Sequence, residues 1–266
     1  MIFLSILDKI LKQSKTRNFV IAILLLLVAY LVIVFLTEND NGFSKELPVS
    51  NMKNTENNDT ESILKDELYV IQNVSEENEG YEIEIYYPYT TDANLNAYIN
   101  AKLELYKKDI KFQANNYENE VQEGKYKLNI SFNVTKSSDT NYISFIFYVT
   151  QDIKYLHPNE TIFVINYDKK NKRIIMLEDI EVMYPNLYYN LSEYTYKELL
   201  KNEEIKKMGA LEMLEMGTKA NKYNFMDIAF KDNNLLVIFE KYQVAPYVLG
   251  RFEVEVPLEY LKNTDS

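Results

Sequence analysis

The chain has no cysteine and no tryptophan, one histidine, and only 6 glycines and 6 prolines in 266 residues. Without cysteine there is no disulfide framework, no thiol nucleophile and no thiolate metal site. A lone histidine, His157, excludes multi-histidine zinc centres. A Ser-His-Asp arrangement would need a serine such as Ser144 beside it, and no local pattern supplies one. His157 therefore reads as a loop residue that holds backbone geometry or touches a ligand. Basic charge is also scarce: Lys and Arg total 29 against 40 Asp and Glu, a formal net charge of -11. A protein that must neutralise phosphates needs a basic face, so nucleic acid is excluded as a partner. An acidic surface suits a cationic protein or peptide, and equally keeps an exported domain soluble. No cofactor and no metal is expected.

What the chain does have is one long apolar run, Phe19 to Leu36, with no charge, glycine or proline. As a helix its roughly 18 residues rise about 27 Å, near the hydrocarbon thickness of a bilayer. The expectation is a single transmembrane anchor at 19–36. Lys9, Lys12, Lys15 and Arg17 precede it and Glu38 and Asp40 follow, which places a short segment, 1–18, in the cytoplasm and the remainder outside. The run ends Val34-Phe35-Leu36-Thr37 without an A-x-A-like cleavage site, so an uncleaved anchor is expected. Residues 37–65 are polar and aperiodic and read as a flexible linker. The abundance of Asn, Lys, Ile and Tyr together with the missing cysteine points to a low-GC bacterium and the cell membrane.

From residue 66 the pattern is α+β. Tyr81, Ile83, Ile85 and Tyr87 alternate with Glu82, Glu84 and Tyr86, giving a half-buried strand whose two glutamates lie on its wet side. Leu95, Ile99, Leu103, Tyr106 and Ile110 mark one face of a helix opened by Thr91 or Asp92. Three strands follow: Tyr126 to Val134, Tyr142 to Thr150, which is apolar enough for the middle of a sheet, and Thr161 to Tyr167. The last pairs through Asp168 to Asn171 with Arg173 to Leu177. Strands in series predict an antiparallel meander with one helix packed on it. Leu191, Tyr194, Leu199, Leu200, Ile205, Met208, Leu211 and Leu214 form a helical stripe of core or interface character. A hairpin of Phe225–Phe230 and Leu235–Glu240 and a strand at Arg251–Val256 close the chain. The expected subdomains are 66–185 and 186–262, antiparallel sheets with packed helices.

The loop inside the last unit is Tyr242-Gln243-Val244-Ala245-Pro246-Tyr247-Val248-Leu249-Gly250. Pro246 fixes its own φ and extends Ala245, while Gly250 can take positive φ where the chain re-enters a strand. Tyrosines beside a rigid turn suit either a binding rim or a cap on the core. Y-Q-V-A-P-Y-V-L-G-R-F-E-V-E-V-P resembles the C-terminal signature, Y-x-V-A-P-Y-A-x-G-x-x-x-V-x-I-P, of a bacterial extracytoplasmic domain of unknown function. Tyr87-Pro88 with Leu95 to Asn100, Ser144, His157, and Asn166-Tyr167-Asp168 through Leu177-Glu178-Asp179-Ile180 match the family's order upstream. The resemblance covers about 66 to 262. It departs from the family at the histidine loop, where a Gly-Ala-His-Gly type of sequence is here Tyr155-Leu156-His157-Pro158.

That family forms the outer part of membrane-anchored anti-sigma factors that sense lysozyme. It also accompanies peptidoglycan deacetylase domains as a non-catalytic partner and stands alone on anchors. The resemblance implies a non-enzymatic ectodomain that binds a cell-wall-associated partner, a lysozyme-like cationic protein or a peptidoglycan component. Its contacts would come from His157, Tyr242, Pro246, Tyr247 and Gly250. The alternative is an enzyme acting on wall glycans, or an accessory subunit of one, through carboxylates such as Glu178 and Asp179.

Overall fold

The computed structural model describes residues 68–116, 124–153 and 157–262; the expected anchor and linker lie outside these residues. No described helix is long and apolar enough to cross a membrane. The described residues form one compact unit of α+β architecture.

Strands β1 (Tyr69–Glu77), β2 (Tyr81–Thr90), β3 (Tyr126–Lys136), β4 (Tyr142–Asp152), β5 (Asn159–Asp168) and β6 (Arg173–Ile175) lie side by side in chain order in one sheet. Helix α1 (Ala93–Asn116) begins where expected, with the Asp92 carboxylate accepting from the Leu95 N–H at 2.9 Å. The same carboxylate accepts from the Tyr167 hydroxyl at 2.7 Å, which pins the start of the helix to β5. One expectation is corrected here. The sheet is not a pure meander, because β2 and β3 run parallel and α1 is the crossover between them. Parallel neighbours need such a long connection, whereas hairpins do not. The other neighbouring pairs are antiparallel, and β4 sits in the interior of the sheet.

Alternation along the strands divides their side chains between two cores. Ile83, Ile85, Leu128, Ile130, Phe145 and Phe147 meet Leu95, Ile99, Leu103 and Ile110 of α1 in the first. Full burial of each such side chain contributes about 1.5–3 kcal/mol. Ile146 and Ile162, on the opposite face, meet Ala229, Leu236 and Ile238 of a second sheet. That sheet is three-stranded, β7 (Ile228–Lys231), β8 (Asn234–Phe239) and β9 (Phe252–Pro257). Its far face, with Phe230, Leu235, Val237 and Phe239, packs on the helices α2 (Leu177–Met183), α3 (Leu187–Leu199), α4 (Glu203–Lys207) and α5 (Leu211–Thr218); α6 (Leu258–Lys262) ends the fold. The helical stripe is thus broken into pieces: Asn202 caps α4 by accepting from the Glu204 and Ile205 N–H groups, and Gly209 turns with φ 66°. Met208 and Leu211 fall at these breaks and are exposed, so only part of the stripe is core. Phe225 likewise lies in a 3-10 turn capped by Asn221, not in the hairpin strand expected there.

A row of polar side chains joins the two sheets. Thr135, Ser144 and Asn166 are cross-strand partners on β3, β4 and β5, and all address the outer edge of β7. Thr135 Oγ1 donates to Phe230 O at 2.8 Å, Phe230 N donates to Ser144 Oγ at 2.8 Å, and Asn166 Nδ2 donates to Ile228 O at 2.8 Å. Ser144 in turn donates to Asn166 Oδ1. An edge strand buried in a sandwich leaves backbone groups that must find partners, and these side chains supply them.

Candidate functional site

The five residues singled out in the sequence converge, although β4–β5 carries one of them and β8–β9 the rest. After β8 the chain turns at Tyr242, whose φ of 68° puts a non-glycine residue in the left-handed region and leaves its ring exposed. Val244 and Ala245 then plunge into the core, and Pro246 (φ -56°) leads into a 3-10 turn, Tyr247–Leu249. Gly250 follows with φ 76° and ψ -149°, a conformation open essentially to glycine alone, and its N–H closes the turn on Tyr247 O at 2.9 Å.

The tyrosine held there is the centre of an aromatic rim. The His157 ring stacks on Tyr247 with centroids 4.6 Å apart and planes inclined by 25°. Tyr242 lies against the same ring at 5.2 Å. The rim has charged flanks that the sequence reading did not single out. Lys241 Nζ stands 4.3 Å above the Tyr247 ring and 2.8 Å from Glu160 Oε2, and Arg251 stacks 4.9 Å over Tyr148. A signal for them existed: Lys241 and Arg251 are the two stems of the loop.

The loop is fixed from beneath. Gln243 Nε2 donates to Asn224 O at 2.9 Å and to Gly217 O at 3.3 Å, while its Oε1 accepts from Glu240 N at 3.1 Å. Glu240 Oε1 accepts from Ile162 N at 2.7 Å, which ties the loop's entry to β5. Behind this lies a cleft of about 350 Å³ lined by Lys102, Phe163, Tyr223, Asp227 and Glu240. Burial, reinforced by the Glu240 carboxylate and opposed by Arg251, pushes Asp227 up to about 7.

A proton held by the fold up to about pH 7 is released by the unfolded chain near pH 4. Stability conferred by protonated Asp227 is therefore full at low pH, lost as pH rises from about 4 to about 7, and constant above that. Asp227→Asn is expected to remove this loss. Discounted for the carboxyl's partial solvent contact, the gain is on the order of 2 kcal/mol at pH 8 and close to nothing at pH 4. Urea unfolding at the two pH values measures it; equal effects at both would show that Asp227 does not titrate in this range.

Other candidates have structural employment. Ser144 is fully buried and bonded to Asn166 and Phe230, away from any nucleophile's role beside the exposed His157. Asp179 starts α2, accepting from Met176 N at 2.8 Å and from Arg173 Nη1 at 2.8 Å, and Glu178 lies in the same first turn. Glu82 pairs with Lys127, and Glu84 accepts from the Tyr86 hydroxyl, both on the wet side of β2.

The fold is that of a two-sheet α+β domain carrying an aromatic rim on its β8–β9 loop. Residues 179–259, which include that loop, match a family model described as "Protein of unknown function (DUF3298)". Over 98 residues the chain is 33% identical to the peptidoglycan-N-acetylmuramic acid deacetylase PdaC of Bacillus subtilis (strain 168), a match spanning 37% of this chain. The match spans 21% of that relative's length. A crystal structure of a DUF3298 family protein from Pseudomonas aeruginosa PAO1 superposes with a TM-score of 0.52 at 13% identity, covering 73% of this chain and 90% of that one. A DUF3298 family member from Bacteroides fragilis NCTC 9343 gives 0.47 at 16% identity over 72% of this chain and 90% of its own. The family match and the fold shared with the Pseudomonas aeruginosa structure agree with the resemblance carried by the Tyr242–Gly250 motif.

Proposed function

We propose that the protein is a non-enzymatic binding domain of the bacterial cell envelope, held outside the membrane by the anchor at 19–36, which recognises a cell-wall component through the His157–Tyr247–Tyr242 rim. The observation that carries this reading is the rim itself: an exposed tyrosine in a left-handed backbone position, stacked rings, and a loop braced by Gln243. Local strain and ordered exposed aromatics are features of surfaces selected to touch something else. The relation to a deacetylase that acts on peptidoglycan supports a wall component as the ligand.

A second reading is favoured by the net charge of -11: a cationic lysozyme-like protein docking on the acidic surface, as in the sensors this domain resembles. Titration of the full chain with lysozyme and with solubilised peptidoglycan fragments, at low and physiological salt, separates the two. Binding to fragments is expected to weaken at least roughly tenfold in Tyr247→Ala at both salt concentrations. Lysozyme binding that is tight, salt-sensitive and indifferent to Tyr247→Ala would overturn the rim as the recognition surface.

A further inference from the structure

Two cations stand at the rim of an acidic chain. Lys241 and Arg251 both address one carboxylate, Glu160, with Lys241 Nζ 2.8 Å and Arg251 Nη2 3.9 Å from the same Oε2. At that distance the guanidinium makes an ion pair with Glu160 but no hydrogen bond, so its donor fork is not committed to this partner. The side chains of Lys241, Arg251 and Glu160 keep 21%, 23% and 29% of their exposure, enough for a solute to reach them. Two further acids stand nearby: Glu240, which accepts from Ile162 N, and Asp227, which lines the cleft with Glu240 and feels the charge of Arg251. Each cation is also held in place from one side by a ring, Lys241 by Tyr247 and Arg251 by Tyr148, whose hydroxyl is 3.5 Å from Asn133 Nδ2. The result is a carboxylate position between two pre-positioned cations, bordered by the rings of Tyr247 and Tyr242.

We infer that the rim takes a saccharide bearing a carboxylate. The apolar face of the sugar ring lies on Tyr242 and Tyr247, and the ligand's carboxylate takes the place of Glu160 between Lys241 and Arg251. This rests on the reading of the rim as the wall-binding surface and narrows it to acidic glycans. Three points of chemistry favour it over a cationic partner. A guanidinium fork recognises a carboxylate with two parallel hydrogen bonds, which the present Glu160 geometry does not use. Exchanging one carboxylate for another conserves charge at the rim, while Glu160 swings into water and regains its hydration. A cationic partner would instead bring like charges against Lys241 and Arg251.

The test is an NMR titration of the full chain with N-acetylmuramic acid and, as the neutral probe, N-acetylglucosamine, which lacks the carboxylate. Wild type is expected to prefer the acid by roughly tenfold, the scale of one charge-assisted pair. Glu160→Gln removes the internal competitor and is expected to tighten the acid several-fold without affecting the neutral sugar; a gain of this kind cannot come from misfolding. Lys241→Met and Arg251→Gln are each expected to erase the preference. Equal binding of both sugars, still abolished by Tyr247→Ala, overturns the carboxylate inference and leaves the rim reading intact. Binding of neither sugar, or binding unaffected by Tyr247→Ala, overturns both.

Discussion

Gly217→Ala is expected to destabilise the protein by about 3 kcal/mol or more and to disorder the aromatic rim. Gly217 is buried in α5, and a Cβ there would stand 2.1 Å from Gln243 O, 2.8 Å from Gln243 C and 2.9 Å from Val244 Cγ1. Two of these are backbone atoms of the rim loop, which no rotamer change can move. Relief requires either α5 to retreat from the core or the loop to lift. Lifting would strip the Gln243 side chain from Gly217 O and Asn224 O, and with it the support beneath Tyr247. For a domain of about 200 residues a loss of this size lowers the melting temperature by about 6–12 °C. Gly80→Ala is the control, because the added Cβ would meet only ordinary contacts, the nearest at 3.6 Å. Circular dichroism melts of both variants check the prediction; a Gly217→Ala melt within about 2 °C of wild type would contradict the packing described.

Asn166→Ala is expected to cost about 3 kcal/mol, measured as a shift in the urea midpoint with an unchanged slope. The side chain bridges Ser144 Oγ and Ile228 O, and its loss leaves a buried hydroxyl and a buried carbonyl without that partner. Ser144→Ala would free the Phe230 N–H instead. Because both residues belong to one network, the double variant is expected to cost less than the sum of the two. A loss below about 1 kcal/mol for Asn166→Ala would mean that the edge of β7 finds other partners, and that the polar row is not what joins the sheets.

This polar row shows where reading the chain as a sequence reaches its limit. Period-two alternation marked β2 and β3, helical spacing marked α1, and the apolar run Tyr142–Thr150 marked the interior strand, because each of these signals is local. Ser144 was noted as the serine a triad with His157 would need, and its purpose was not legible. It serves the edge of a strand at 228–231, and no local pattern announces that the second sheet crosses there. The parallel pairing of β2 with β3 was missed for a related reason. Periodicity shows that a helix follows β2, not that the chain returns on the same side of the sheet in the same direction.

The rim was half legible. Pro246 and Gly250 imposed backbone conformations that can be read from residue type alone, and the structure has φ of -56° and 76° at these positions. His157 drew notice as the lone histidine. That its ring would lie on Tyr247 depends on the β4–β5 and β8–β9 ends meeting, a tertiary fact. Lys241, Arg251 and Glu160 were passed over for the same reason. In a chain with 29 basic and 40 acidic residues, two cations at the stems of a loop are unremarkable until the fold sets one carboxylate between them.

His157 also provides the most direct test of the central claim, that the rim is the surface that meets the wall. It is the only histidine in the chain, so its imidazole gives one isolated set of NMR signals, reporting from a ring 4.6 Å from Tyr247. Addition of solubilised peptidoglycan fragments to the full chain is expected to shift these signals in a saturable way, and Tyr247→Ala is expected to abolish the saturation. Fragments that bind the protein while the His157 signals stay in place would contradict the account and move the search to another face of the domain.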